Sequence, residues 1–160
     1  MHGKVAVLIG SESDRETMEA ARQYFDYFQI EMDLRVMSAH RNPEEVSKFA
    51  TSARKNSYHV LIGAAGMAAH LAGALKAHST LPVIGVPLKG GIEDGMDALL
   101  STVQMPKGIP VATVAIGSTG AANAGFLAAQ ILSLSSNKIG EALSSLREEN
   151  KKAIVEVNKK

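Results

Sequence analysis

His40 and Arg41 stand side by side in the run Ser38-Ala39-His40-Arg41-Asn42-Pro43. An imidazole exchanges a proton near neutral pH, and a guanidinium grips a phosphate through two parallel hydrogen bonds. The pair follows an apolar stretch, Leu34 to Met37, and precedes a helix start. A second polar corner, Gly10-Ser11-Glu12-Ser13-Asp14, follows Val5 to Ile9 in the same way. In a parallel α/β sheet, strand carboxyl ends open into the ligand crevice, so adjacent strands would bring both corners together. The chemistry suggested is proton transfer on a phosphorylated small molecule.

Each residue also has a plainer reading. The amides after Gly10 suit an anion, but neither a dinucleotide fingerprint nor a P-loop is present. Asp14 would repel a phosphate and suits a sugar diol, while Ser11 and Asp14 suit helix capping equally well. A lone loop histidine is ordinarily a surface residue; beside Arg41, with Ser38 before it and a matching corner nearby, the functional reading of His40 is the better one. A third corner, Gly63 to Leu71, is almost bare of side chains before His70. Its backbone, at Gly66 and Ala68 through to Leu71, can approach a ligand closely, or the small residues can serve helix packing alone. His70 either lines the site or is a satisfied interior histidine. His2, His59 and His78 have no supporting context, and the five histidines lack the clustering a metal site needs.

The elements that must position these residues follow from short apolar runs alternating with helical patterns. Strands are predicted at about 4–9, 31–37, 59–62, 82–86 and 111–116. Helices are predicted at about 14–28, 43–56, 67–77, 94–102, 121–134 and 138–157. Near-continuous Val/Ile/Leu runs mark strands covered on both faces, which implies an open, doubly wound parallel sheet with right-handed crossovers. Ser13-x-x-Glu16 predicts a capping box and Asn42-Pro43-x-Glu45 a capped second helix. The helix predicted at 121–134 carries no charge. A helix apolar all round is buried all round, so a neighbouring subunit is expected to cover its outer face, with the same chain's last helix as the rival cover.

Composition removes several classes. One domain, 1–160, is expected from the length, and 46% hydrophobic residues supply a core that excludes whole-chain disorder. A net charge of +1 without a basic stripe argues against nucleic acid, and Lys159-Lys160 is expected to be a solvated end. The absence of cysteine removes disulfides and thiolate chemistry. The start has no signal-peptide core and the Ala/Gly-rich stretch 60–75 is a poor membrane span, so no membrane partner and a cytoplasmic location are expected. A non-catalytic nucleotide-binding or regulatory module is the rival reading; with aromatics at 4%, flavin is disfavoured as its ligand for want of stacking surfaces.

Several blocks occur together in fixed order: Gly-Ser-x-Ser-Asp at 10–14, Ser-Ala-His-Arg-x-Pro at 38–43, Ala-Ala-His-Leu at 68–71 and Leu-Pro-Val-Ile-Gly-Val-Pro at 81–87. Leu-Leu-Ser-x-Val-Gln-Met-Pro at 99–106, Pro-Val-Ala-Thr-Val-Ala-Ile-Gly at 110–117 and Asn-Ala-Gly-x-Leu-Ala-Ala-Gln-Ile-Leu at 123–132 follow. From Val5 to Leu132 the chain resembles the bacterial N5-carboxyaminoimidazole ribonucleotide mutase family. The resemblance implies a three-layer flavodoxin-like fold with five parallel strands and a C-terminal helix packing on a neighbouring subunit. It further implies a homo-octamer, no cofactor or metal, and isomerisation of N5-carboxyaminoimidazole ribonucleotide to its 4-carboxy isomer. Carried over by motif, His40 is the general acid and base. Ser11, Asp14 and Arg41 bind the ribonucleotide, Ser13 and Ser38 lie near its phosphate, and His70 is the second site histidine. Ala72, Ala74, Asn42 and the loop 89–95 depart from the family pattern. Arg41 and His70 argue against the animal-type relative, which carboxylates aminoimidazole ribonucleotide directly.

Overall fold

A computed structural model describes residues 2–159; Met1 and Lys160, and the expectations that touch them, lie outside the described residues. Strand β1 (Lys4–Ile9) leads through a 3-10 turn (Glu12–Asp14) into α1 (Arg15–Glu19) and α2 (Arg22–Tyr27). Then come β2 (Glu31–Val36), α3 (Pro43–Ser52), β3 (Val60–Ala65), α4 (Leu71–His78) and β4 (Val83–Pro87). A second 3-10 turn (Ile92–Asp94), α5 (Met96–Val103), β5 (Ala112–Thr113), α6 (Ser118–Ser133) and α7 (Asn137–Val157) complete the chain. The strands form one sheet in the order β2-β1-β3-β4-β5, every pairing parallel. This is the flavodoxin-like order, as expected, and the direction of winding reverses between β1 and β3.

Alternation along the strands divides the interior. Val5, Val7 and Ile9 of β1 face α1, α2, α6 and the start of α7, around Met18, Phe25, Ala124 and Ile139. Ala6 and Leu8 face the opposite way, toward α3 and α4, against Val46, Phe49, Leu71 and Leu75. Both faces are therefore covered, and successive side chains of one strand belong to different layers. No helix among the described residues is long and apolar enough to cross a membrane.

The boundaries differ from expectation for identifiable reasons. The predicted first helix tightens where Ala21 N–H bonds Met18 O, so it splits into α1 and α2. It ends with Gln29 at φ 53 and Ile30 N–H bonded back to Phe25 O, a left-handed closure made without glycine. Helix α3 ends likewise, through Ser57 at φ 63 and Tyr58 N–H to Ala53 O. The last strand shrinks to two residues, although Val114 and Gly117 still bond Gly85 and Pro87 of β4. Helix α4 begins four residues late, because Met67 takes φ 51 and residues 67–70 stay looped. The rival cover for α6 is present: α7 lies in contact with α6, and Leu143 and Leu146 of α7 are partly buried against the same core as Phe126, Leu127 and Ile131 of α6. The same chain thus covers part of the face assigned to a neighbour.

Candidate active site

The first corner closes on itself. Ser11 N–H donates to Asp14 Oδ2 at 3.2 Å, Asp14 N–H returns to Ser11 O at 3.1 Å, and Ser13 Oγ donates to Ser11 Oγ at 3.0 Å. The reciprocal turn therefore runs from Ser11 to Asp14, not from Ser13 to Glu16 as the capping pattern predicts. A tight 3-10 turn precedes α1 and takes the capping geometry one step earlier. Burial pushes the Asp14 carboxyl above the usual carboxylate range, against the Ser11 amide, the Ser13 hydroxyl and the Arg41 charge, which favour ionisation.

The second corner is tied by its own side chains. Asn42 precedes α3 as expected, with Pro43 in the first turn, but its Oδ1 accepts Ser38 N–H at 2.7 Å and makes no bond into the helix. Ser38 Oγ accepts the amides of His40 at 3.3 Å and Arg41 at 3.2 Å. The loop is thereby bent so that both following side chains leave it on the sheet's carboxyl edge. Arg41 Nη2 donates to the carbonyl of Gly10, joining the second corner to the first.

His40 reaches further. Its Nε2 lies 2.7 Å from His70 Nδ1, with the rings nearly perpendicular at 86° and their centroids 4.9 Å apart. One nitrogen must carry the proton and the other accept it, so the two tautomers are linked. His70 is exposed and precedes α4, which removes the interior-histidine reading. Its position depends on Gly63: a Cβ there would lie 2.8 Å from Ala72 Cα, so only glycine lets α4 sit this close to β3. Ser101 of α5 fixes the rest of the third corner, accepting Ala69 N–H at 3.0 Å and lying 3.3 Å from Met67 O.

These corners line one cavity of about 490 Å³, at the carboxyl ends of β1 and β3 where the winding reverses. Ser11, Ser13, Asp14, Ser38, His40 and Arg41 are on its wall, as are Gly66, Ala68, His70 and Leu71. Every residue singled out as a site candidate is brought there. His2, His59 and His78 are not. Lys89, Gly90 and Gly91, not among the site candidates drawn from the sequence, supply a fourth wall after β4. The signal was present as a Lys-Gly-Gly run directly after a buried strand. Among the described residues, no group of three or more His, Cys, Asp or Glu could hold a metal ion.

Known proteins resemble this chain in sequence and in fold. Residues 4–153 match the model of a family described as AIR carboxylase. A Haemophilus influenzae N5-carboxyaminoimidazole ribonucleotide mutase is 49% identical over 91% of this chain and 88% of its own length. The Bacillus subtilis protein of the same name is 46% identical over 98% of this chain and 96% of its own. A crystal structure of Treponema denticola PurE superposes with a TM-score of 0.87 at 30% identity, covering 96% of this chain and 95% of that one. Sequence match, relatives and fold agree over nearly the whole length, and the chain belongs to the AIR carboxylase family, alongside the N5-carboxyaminoimidazole ribonucleotide mutases.

Proposed function

We propose that this protein converts N5-carboxyaminoimidazole ribonucleotide to 4-carboxy-5-aminoimidazole ribonucleotide, an isomerisation of purine biosynthesis. The observation that carries the reading is the His40–His70 hydrogen bond inside a cavity that also holds Arg41. One exchangeable proton beside a guanidinium is what moving a carboxyl group on a phosphorylated nucleotide requires. The named relatives support the same reaction.

In the proposed sequence the N–C bond to the carboxyl breaks, leaving its electron pair on the exocyclic nitrogen, and His40 gives that nitrogen a proton. Carbon dioxide is retained against the small residues of the third corner. Ring carbon 4 then attacks it, forming the C–C bond, and the hydrogen left on carbon 4 returns to His40. The proton lent equals the proton recovered, and the carboxyl carbon keeps its oxidation state. The scheme therefore balances without a cofactor or co-reactant. Proton transfer by a positioned side chain is worth about 100- to 10,000-fold. His70, within hydrogen-bond distance, holds the imidazole in one orientation. Arg41 and the Ser38 hydroxyl take the phosphate, with Ser13 near it, and Ser11 and Asp14 take the ribose.

The proposal extends to the setting: a cytoplasmic enzyme of one domain, working as a homo-octamer. Apolar side chains on α7 support assembly, since Ile154 is 66% and Val157 72% exposed, and Leu134 just before it is 89% exposed. Purified protein given N5-carboxyaminoimidazole ribonucleotide, without added bicarbonate, should form the 4-carboxy isomer. No isomer, or formation from aminoimidazole ribonucleotide only when bicarbonate is supplied, refutes the proposal.

A further inference from the structure

Lys89 enters the cavity wall from the corner after β4. Its stem lies across Gly117 at the start of α6, with side-chain carbons 3.3 to 3.5 Å from where a Cβ on that glycine would be. Its Nζ sits 3.4 Å from Asp94 Oδ2, and both side chains are about two-thirds exposed. An exposed pair of this kind holds weakly and yields readily to a better anion. Asp94 is kept ionised by the Gly90 amide and by Lys89 itself.

The sheet order sets what that anion is. Arg41 comes from the β2 corner and is bonded over β1, whereas Lys89 comes from the β4 corner, three strand spacings from β2, or about 14 Å of sheet width. The histidine pair lies between them, His40 after β2 meeting His70 after β3. A substrate anionic at both ends, with its phosphate on Arg41 and its reacting atoms at His40, must direct its carboxylate toward β4. We propose that Lys89 is a specificity-determining residue that holds the carboxylate end of the substrate, with Asp94 as its competing partner. This rests on the reaction proposed above.

The test uses the full chain. Lys89→Met should raise KM for N5-carboxyaminoimidazole ribonucleotide about tenfold, as loss of one charge-assisted bond does, with kcat little changed. Affinity for aminoimidazole ribonucleotide, which lacks the carboxylate, should stay the same, and Lys89→Arg should restore most of the KM. Asp94→Asn keeps an acceptor for Gly90 N–H and tolerates φ 52, so the loop persists while the competitor loses its charge; its KM should fall about two- to threefold. An unchanged KM in Lys89→Met, or equal losses for both nucleotides, overturns the assignment. If Lys89→Met does not fold, an unchanged KM in Asp94→Asn overturns it instead. Wild-type protein that forms no isomer refutes the reaction and this inference together; wild-type turnover with a KM indifferent to these changes refutes the inference alone.

Discussion

Gly63→Ala tests whether packing between β3 and α4 sets the site. The added methyl would meet Ala72 Cα at 2.8 Å and Ala72 N at 2.9 Å, about 0.6 Å inside ordinary contact. Both obstacles are backbone, so relief requires α4 to move off the sheet. Overpacking of this kind costs about 1–3 kcal/mol, or about 2–12 °C of Tm for a chain of this size. His70 sits one residue before α4 and moves with it. A shift of about 0.6 Å would stretch its 2.7 Å bond to His40 to the outer edge of useful hydrogen-bond length. Thermal unfolding at matched protein concentration, with steady-state turnover of N5-carboxyaminoimidazole ribonucleotide, measures both effects. The expected outcome is a lower Tm with kcat/KM reduced about tenfold or more. An unaltered Tm would refute the close-packing argument. A lower Tm with full activity would show that the histidine contact does not depend on α4.

Other substitutions separate the remaining roles. His40→Asn should keep the wild-type circular dichroism spectrum and still bind the ribonucleotide, while turnover falls by about 100-fold or more; wild-type rates would remove His40 from the proton transfer. Arg41→Ala should mainly raise KM by weakening the phosphate end, and an unchanged KM would show that the phosphate is held elsewhere. Asp14 has a raised pKa, so ionising it opposes folding: the cost is absent below the unfolded value of about 3.9 and fully present once pH passes the folded value. Asp14→Asn should therefore melt higher than wild type at pH 7 while losing substrate affinity, and the Tm gap should close toward pH 3. A gap independent of pH would contradict the burial argument.

Much of this arrangement was legible in the residues. Val5 to Ile9 and Val83 to Val86 are apolar on both faces because helices cover both faces, and that pattern survives without any knowledge of strand order. His40 and Arg41 were legible because Asn42 and Pro43 announce a helix start, which leaves the residues before them in a loop. What escaped depended on atoms distant in sequence. Ser13 and Ser11 are equally plausible caps until the chain chooses a 3-10 turn. Met67 belongs to an apolar run, and neither its left-handed backbone nor its tie to Ser101, 34 residues later, has a local signal. Lys89 was not singled out because nothing local says that β4 ends beside β3. What covers α6 was not legible, since a chargeless helix reports that it is buried and not by what; α7 of the same chain supplies part of the cover.

Ser38 has a consequence for which ligand atoms can face it. Two amides already occupy the electron pairs of its oxygen, so all it has left to offer outward is hydrogen. An incoming ammonium or amide N–H finds no welcome at that point, whereas an oxygen with free pairs does. A single neutral hydroxyl, committed by its own backbone, thus imposes polarity on whatever docks beside His40, without any charge that salt could mask.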